Sequence, residues 1–364
     1  MTMEIEQPPS SPPAPSALAA EAALAAAREA LQACRWDEAR QQAEAALAAG
    51  LTGMAQGEAL LLLALSHWWL GHLGRVHRPA LRAAVLPAQP HVRIRALNLA
   101  ALALGELGLA HEALPLAQQA LELARQPGQH EQLSGALSCT AHVHARLGDL
   151  ENAELLHMQA LSMARESAQP AQLQQAYCNL LLSFALAQDE LLEQQRPQAA
   201  AAAPQRGLHY VSHARSLLRD PRLDDERRAA LELAIGHLLM LLGRLDEAEP
   251  LLRAAIANSE RLGSDYTLRS ACHSLAELLR RRGEPAAALA LLRAQPEPPS
   301  LGLRLARRRC LLACLIALGE EHQAVEEALA QELAQRDAMR RQARQSLDSP
   351  SQFGPLDGLP VSMR

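Results

Sequence analysis

The sequence predicts an all-α fold, a solenoid of stacked helix–turn–helix units. Three observations carry that prediction. A six-residue turn signature recurs along the chain, the apolar residues between turns follow a helical period, and small residues stand at fixed distances from each turn. The signature reads CRWDEA at 34–39, GLAHEA at 108–113 and GDLENA at 148–153. It returns as GRLDEA at 243–248, GEPAAA at 283–288 and GEEHQA at 319–324. A fixed period decides the architecture first, because such a unit buries its apolar face only by stacking on its neighbours.

Each turn has an amphipathic stretch on either side. Leu97, Ala100, Ala101 and Leu104 lead into Gly108 at helical spacing, and Ala113, Leu116, Ala117, Ala120 and Leu121 follow it. Glycine at the turn ends the first helix in a left-handed conformation at little cost. Seven residues before the turn stand Ala27, Ala101, Ala141, Gly236 and Ala276. Five after it stand Ala39, Ala113, Ala153, Ala248, Ala288 and Ala324, and twelve after it Ala46, Ala120, Ala160 and Ala255. Larger side chains at these places would push neighbouring helices apart.

Taken in order, residues 1–16 are proline- and serine-rich with nothing to bury, and are expected to be disordered. With Gly74 marking the second turn, the next lies 34 residues on at Gly108, and Gly148 follows after a further 40. The 95 residues from Gly148 to Gly243 then hold two units of 40 and an insertion of 15, with an unmarked turn expected near Gln188–Asp189. That insertion, at 194–207, reads QQRPQAAAAAPQRG. Pro197 and Pro204 bracket it, so it is expected to loop out, as a linker or as a flap over the groove. On this register His67 and Pro79 fall at small-residue positions, which makes the second unit degenerate. Residues 296–300 (Pro-Glu-Pro-Pro-Ser) break the chain before the last unit. A helix from Glu320 to about Ser346 outlasts the repeat, so its charged distal half is expected either to project and pair with a second copy or to cap the array.

The small-residue positions and the G-x-Φ-x-E-A turn resemble the tetratricopeptide repeat. About eight units fit between residues 17 and 347. The tyrosines common in that family are mostly leucine here, and aromatics make up only 2% of the chain. The resemblance implies a right-handed superhelix with the first helix of each unit lining the concave side. A second resemblance lies in the tail, residues 348–364. There GPLDGLPVSMR, at 354–364, is similar to the opening segment of GGDEF-type diguanylate cyclase domains, through Pro355, Leu356, Gly358, Leu359 and Pro360. It departs from that pattern at Gly354, Asp357, Val361, Ser362 and Met363. No GGDEF or GGEEF loop occurs, so the resemblance implies the sensory repeat region of such a protein without the catalytic domain.

Composition narrows the function. A net charge of −5 disfavours nucleic acid as a partner, and all 35 basic residues are arginine, whose planar fork suits carboxylate or phosphate. The most apolar run, residues 59–70, is too short to span a bilayer and is interrupted by Ser66 and His67. The N-terminus lacks the positive start and apolar run of a secretory signal, so a cytoplasmic protein with reduced thiols is expected. The six cysteines read as small core residues, and Cys310 and Cys314, one turn apart, are the one candidate redox pair. His142 and His144 are two apart and point to different sides of a helix, and His209 and His213 lack a third ligand. No phosphate loop, nucleophile elbow or zinc motif occurs. The expectation is therefore no enzyme, no metal and no cofactor.

A binding surface remains. In the repeat register, residues 13, 10, 6, 3 and 2 before each turn face the groove. The candidates are Arg95, Asn98, Ser138, His142, Arg146, Asn179, His273, Glu277, Arg280 and Arg309. Arginines beside asparagine or histidine suit a peptide that carries a carboxylate. The sequence thus points to a binding scaffold for a protein or peptide, the sensory or regulatory module of a bacterial signalling protein. The alternative is a stand-alone assembly or regulatory adaptor that takes peptide segments in the same groove.

Overall fold

The computed structural model describes residues 15–86, 89–167, 169–193 and 195–348. Residues 1–14 and 349–364 lie outside that range, and with them nearly all of the expected disordered tail and the segment similar to a cyclase opening. Among the described residues there is no strand. The described residues form eight helix pairs. The first four are α1 (Pro15–Gln32) with α2 (Trp36–Ala48), α3 (Gly53–Trp69) with α4 (His77–Val85), α5 (Pro90–Glu106) with α6 (Ala110–Ala124), and α7 (His130–Leu147) with α8 (Leu150–Ser167). The last four are α9 (Pro170–Glu193) with α10 (Pro197–Leu217), α11 (Asp225–Leu241) with α12 (Leu245–Leu262), α13 (Asp265–Arg281) with α14 (Pro285–Ala294), and α15 (Leu301–Leu318) with α16 (Gln323–Asp348).

Backbone conformation fixes the register of the repeat. The turn inside each pair carries one left-handed residue: Cys34, Gly71, Gly108, Gly148, Gln195, Gly243, Gly283 and Gly319. Two expectations are corrected by this series. The second turn is marked by Gly71, not Gly74, which places 37 residues between Cys34 and Gly71 and 37 again to Gly108. The small positions of that unit are then Ala64, Val76 and Ala83, all fully buried, and the apparent degeneracy was an offset of three residues. The fifth turn is marked by Gln195, with φ +56°, not by Gln188–Asp189.

The segment 194–207 is accordingly not a looped-out insertion. From Pro197 it is the start of α10, and Ala200 and Gly207 occupy the small positions five and twelve residues past the turn. Pro197 sits in the first turn of α10, where its missing N–H has no partner to lose. Pro204 lies inside the helix and is buried, as Pro115 lies inside α6 and Pro250 inside α12. Packing outweighs the lost backbone bond: a Cβ added at Gly207 would lie 2.8 Å from Leu238 Cδ2 and 2.9 Å from Phe184 Cδ2.

Apolar side chains of both helices in each unit form the core along the array, chiefly leucine and alanine, as Leu97, Leu104, Leu116 and Ala117 do in the third unit. First helices pack on the first helices of adjacent units, for example α5 on α7 and α11 on α13, and successive second helices show no comparable packing. The array therefore curves toward the first helices, which line the concave side.

Curvature brings units five apart together. The turn of the second unit meets the start of the seventh: Trp68 packs against Tyr266 with ring centroids 4.9 Å apart and the planes tilted by 37°, and Gly71 faces Asp265. The turn of the third unit meets the start of the eighth at Gly108 and Leu301. The first turn lies near the start of the sixth unit, where burial and then Asp224 and Glu226 push the Cys34 thiol up to about 11. Of the two alternatives for the last helix, projection or a cap on the array, projection does not hold. The distal half of α16 lies against the turns of the third and fourth units, where Met339 faces Gly108 and Arg340 Nε donates to the Arg146 carbonyl at 3.0 Å.

Candidate functional site

The concave side, lined by first helices, is here called the bore, and a polar seam runs where distant units meet. At the seam, Glu106 ends α5 and is 1% exposed. Its carboxylate accepts from the Arg146 guanidinium and from His142 Nε2 at 2.8 Å, both on α7. It also accepts from Ser300 Oγ at 2.5 Å. Ser300 caps α15 and takes a bond from the Leu303 N–H at 3.3 Å, so one hydroxyl serves both the cap and Glu106. Burial alone would raise the pKa of Glu106. The Arg146 charge and the bonds from His142 and Ser300 outweigh burial and hold the carboxyl well below the usual range. The Arg146 guanidinium fills the space where a side chain at Gly302 would begin. Arg340 pairs with Glu190 of α9 at 2.7 Å. Beside these groups lies a cavity of about 80 Å³, whose lining includes Arg309, Arg336 and Met339.

Along the bore, Arg95 near the start of α5 is exposed and, among the described residues, has no hydrogen bond or ion pair. Desolvation, followed by the charge of Arg227 on α11, pushes its pKa down against the opposing pull of Glu58. Asn98 follows one turn later. Asn98, Ser138 and His273 share one repeat position, ten residues before the left-handed turn residue, and Asn98 Oδ1, Ser138 Oγ and His273 Nδ1 are each buried without a hydrogen-bond partner.

The remaining candidates are engaged. Glu277 receives both Arg280, at 2.7 and 2.8 Å, and Arg281, at 2.8 Å. Burial works to raise the Glu277 carboxyl, but these bonds hold it down at about 2. Arg146 and Arg280 are therefore not free cations of the groove. Asn179 accepts from Gln175 Nε2 at 3.0 Å. The candidate set thus divides in three groups and one residue apart: Arg95, Asn98 and Ser138 on α5 and α7, His273, Glu277 and Arg280 on α13, His142 and Arg146 in the seam with Arg309 beside it, and Asn179 by itself on α9. Glu190, Arg227, Ser300, Gly302 and Arg340 belong to these sites and were not singled out in sequence. Ser300 alone carried a local signal, as a capping residue after a proline-rich break.

His142 and His144 do point apart, toward Glu106 and Asp149. Among the described residues no group of three metal-ligating side chains occurs, and no helix is long and apolar enough to cross a membrane. Cys310 and Cys314 are both buried, and burial raises both thiols.

A family model described as "Tetratrico peptide repeat" matches residues 20–126 and 229–346. Among solved structures, a Rap protein complexed with competence and sporulation factor is 14% identical, with a TM-score of 0.52 over 90% of this chain and 93% of that one. The apo form of RapI is 12% identical, with a TM-score of 0.50 over 80% of this chain and 98% of that one. BtubC from P. vanneervenii is 18% identical, with a TM-score of 0.36 over 69% and 95%. No curated protein matches the sequence.

Proposed function

This chain belongs to the tetratricopeptide repeat family, and from that premise we propose that it is a non-catalytic scaffold holding an extended peptide segment in its bore. The observation that carries this reading is Arg95, an exposed arginine on the concave wall with no hydrogen bond or ion pair among the described residues and with Arg227 near enough to lower its pKa. A carboxylate of the peptide pairs with Arg95, which removes its electrostatic discomfort beside Arg227. Main-chain groups of the peptide meet Asn98 and Ser138 once those side chains rotate toward the bore. The solved Rap complex, a similar solenoid that holds a factor, supports the reading by analogy.

We place this scaffold in the cytoplasm as the sensory or regulatory module of a bacterial signalling protein. Support comes from the charged helix α16 followed by GPLDGLPVSMR, and from six cysteines that are all unpaired.

Selection from a displayed library of random peptides against the full chain tests the reading. Selected peptides are expected to be enriched in aspartate and glutamate, and Arg95→Glu is expected to abolish their binding while leaving the far-ultraviolet circular dichroism unchanged. Retained binding by Arg95→Glu would remove this anchor, and selection of no peptide above background would remove the reading.

A further inference from the structure

In a solenoid each unit touches only its neighbours, so the array by itself is an open spring. The contacts that turn this spring into a ring join units three to five apart. Some are apolar, as Trp68 with Tyr266 and Gly108 with Leu301 are, but one group of them is polar and buried. Neighbouring units meet through leucine and alanine. The seam where the third and fourth units meet the eighth runs through Glu106, Arg146, His142 and Ser300, and continues to Arg340 and Glu190.

That difference matters. For a buried ion pair, the desolvation of both charges cancels much of their attraction, so its net contribution is small next to an apolar contact of equal size. The seam is also incompletely filled, since the cavity of about 80 Å³ lies within it. Its central contact depends on Gly302, where any side chain would displace the Arg146 guanidinium.

We propose that this seam is a releasable clasp. Glu106 and Arg146 hold Ser300 and Gly302 at the start of α15, keep the last unit against the third and fourth, and so close the bore. Release of the clasp lets the spring relax and opens the bore along its side. This goes beyond the binding reading, because it concerns access to the bore whatever the bore holds.

Small-angle scattering from the full chain reads the clasp directly. Glu106→Ala leaves Arg146 buried without its counter-charge, and the unpaired cation is relieved when the seam parts and water enters. The expected result is a larger radius of gyration and a longer maximum dimension than wild type, with unchanged circular dichroism at 222 nm. The double variant Gly71→Cys/Asp265→Cys supplies the control. A Cβ at 71 lies 3.2 Å from Asp265 Cβ, within reach of a disulfide after slight adjustment, and Cys34 already holds the equivalent left-handed position in the first unit. Added to Glu106→Ala, the oxidised staple is expected to restore the wild-type scattering curve, and a reductant to undo the restoration.

Arg95→Cys reports access separately. Its labelling by a bulky maleimide is expected to be faster in the Glu106→Ala background. Should Glu106→Ala fail to fold, Gly302→Ala opens the same contact from the other side. Scattering identical to wild type in a folded Glu106→Ala or Gly302→Ala variant overturns the proposal. So does an expansion that the staple does not reverse, because that would be unfolding. Neither result bears on whether a peptide binds at Arg95.

Discussion

Two glycines make the same substitution produce opposite effects. Gly135 lies inside α7, and a Cβ added there meets nothing within 4 Å. Gly236 lies inside α11 at the small-residue position, and a Cβ there would stand 2.9 Å from both Cγ and Cδ2 of Leu252 and 3.3 Å from the Ala248 carbonyl. Replacing an interior helical glycine by alanine gains about 1 kcal/mol of propensity at either site. At Gly135 that gain stands alone, so Gly135→Ala is expected to stabilise by about 1 kcal/mol. At Gly236 it is opposed by overpacking of about 1–3 kcal/mol. The clash has no easy escape, because Leu252 is fully buried and one of the facing atoms belongs to the backbone. Propensity cancels in the difference between the variants, leaving the overpacking of about 1–3 kcal/mol. With a urea slope of about 3 kcal/mol per molar, the two midpoints should separate by about 0.3–1 M. Urea unfolding followed by circular dichroism at 222 nm measures this, with Gly135→Ala above wild type and Gly236→Ala below Gly135→Ala. If Gly236→Ala unfolds at or above the midpoint of Gly135→Ala, the first and second helices are not in the close contact on which the small-residue argument depends.

Other expectations follow from the same geometry. Cys34 and Gln195 hold left-handed turns without being glycine, so Cys34→Gly and Gln195→Gly should each stabilise by about 1 kcal/mol, read as a higher urea midpoint. Acid should destabilise the chain well before carboxylates titrate. Burial lowers His67 and His273 to about 4 and His157 and His237 to about 3. The unfolded chain takes up these protons below about 6.5 and the folded one does not, so stability present at pH 7 falls as pH drops toward 4. Each histidine accounts for about 1–2 kcal/mol between pH 7 and pH 5, and His157→Gln should flatten the profile of melting temperature against pH. Glu277 acts lower down. Its folded pKa of about 2 lies below the unfolded value, so the stability it contributes is intact above about 4.5 and is lost as pH falls toward 2.

The fold was legible in sequence wherever the turn residue was glycine. Gly108, Gly148, Gly243, Gly283 and Gly319 all hold the left-handed position. Misreadings arose where that signal was absent or doubled. Gln195 gives no sign of a left-handed backbone, so the fifth turn went unseen and half a regular unit passed for an insertion. Gly71 and Gly74 compete within one turn, and choosing the second shifted a sound unit out of register. The concave wall was partly legible, because periodicity places Arg95, Asn98 and Ser138 on one face. Their electrostatic state was not, since the partners of Arg146 and Arg280 are fixed by packing. The seam was legible only in part: periodicity put His142 and Arg146 on the groove face, but nothing joined them to the eighth unit. Glu106 and Ser300 are 194 residues apart, and no local pattern connects them.

That long separation also acts as a count. Most repeat arrays tolerate gain or loss of a unit, since each new copy offers its neighbour the same surface. A chain whose third unit must find its eighth has no such latitude. Deleting one copy between them would leave Glu106 opposite α16 instead of the Ser300 cap, and duplicating one would carry Ser300 past Arg146. The ring also cannot close during synthesis until its final pair of helices has been made. Copy number, usually the most variable property of a repeat protein, is here set by the geometry of closure.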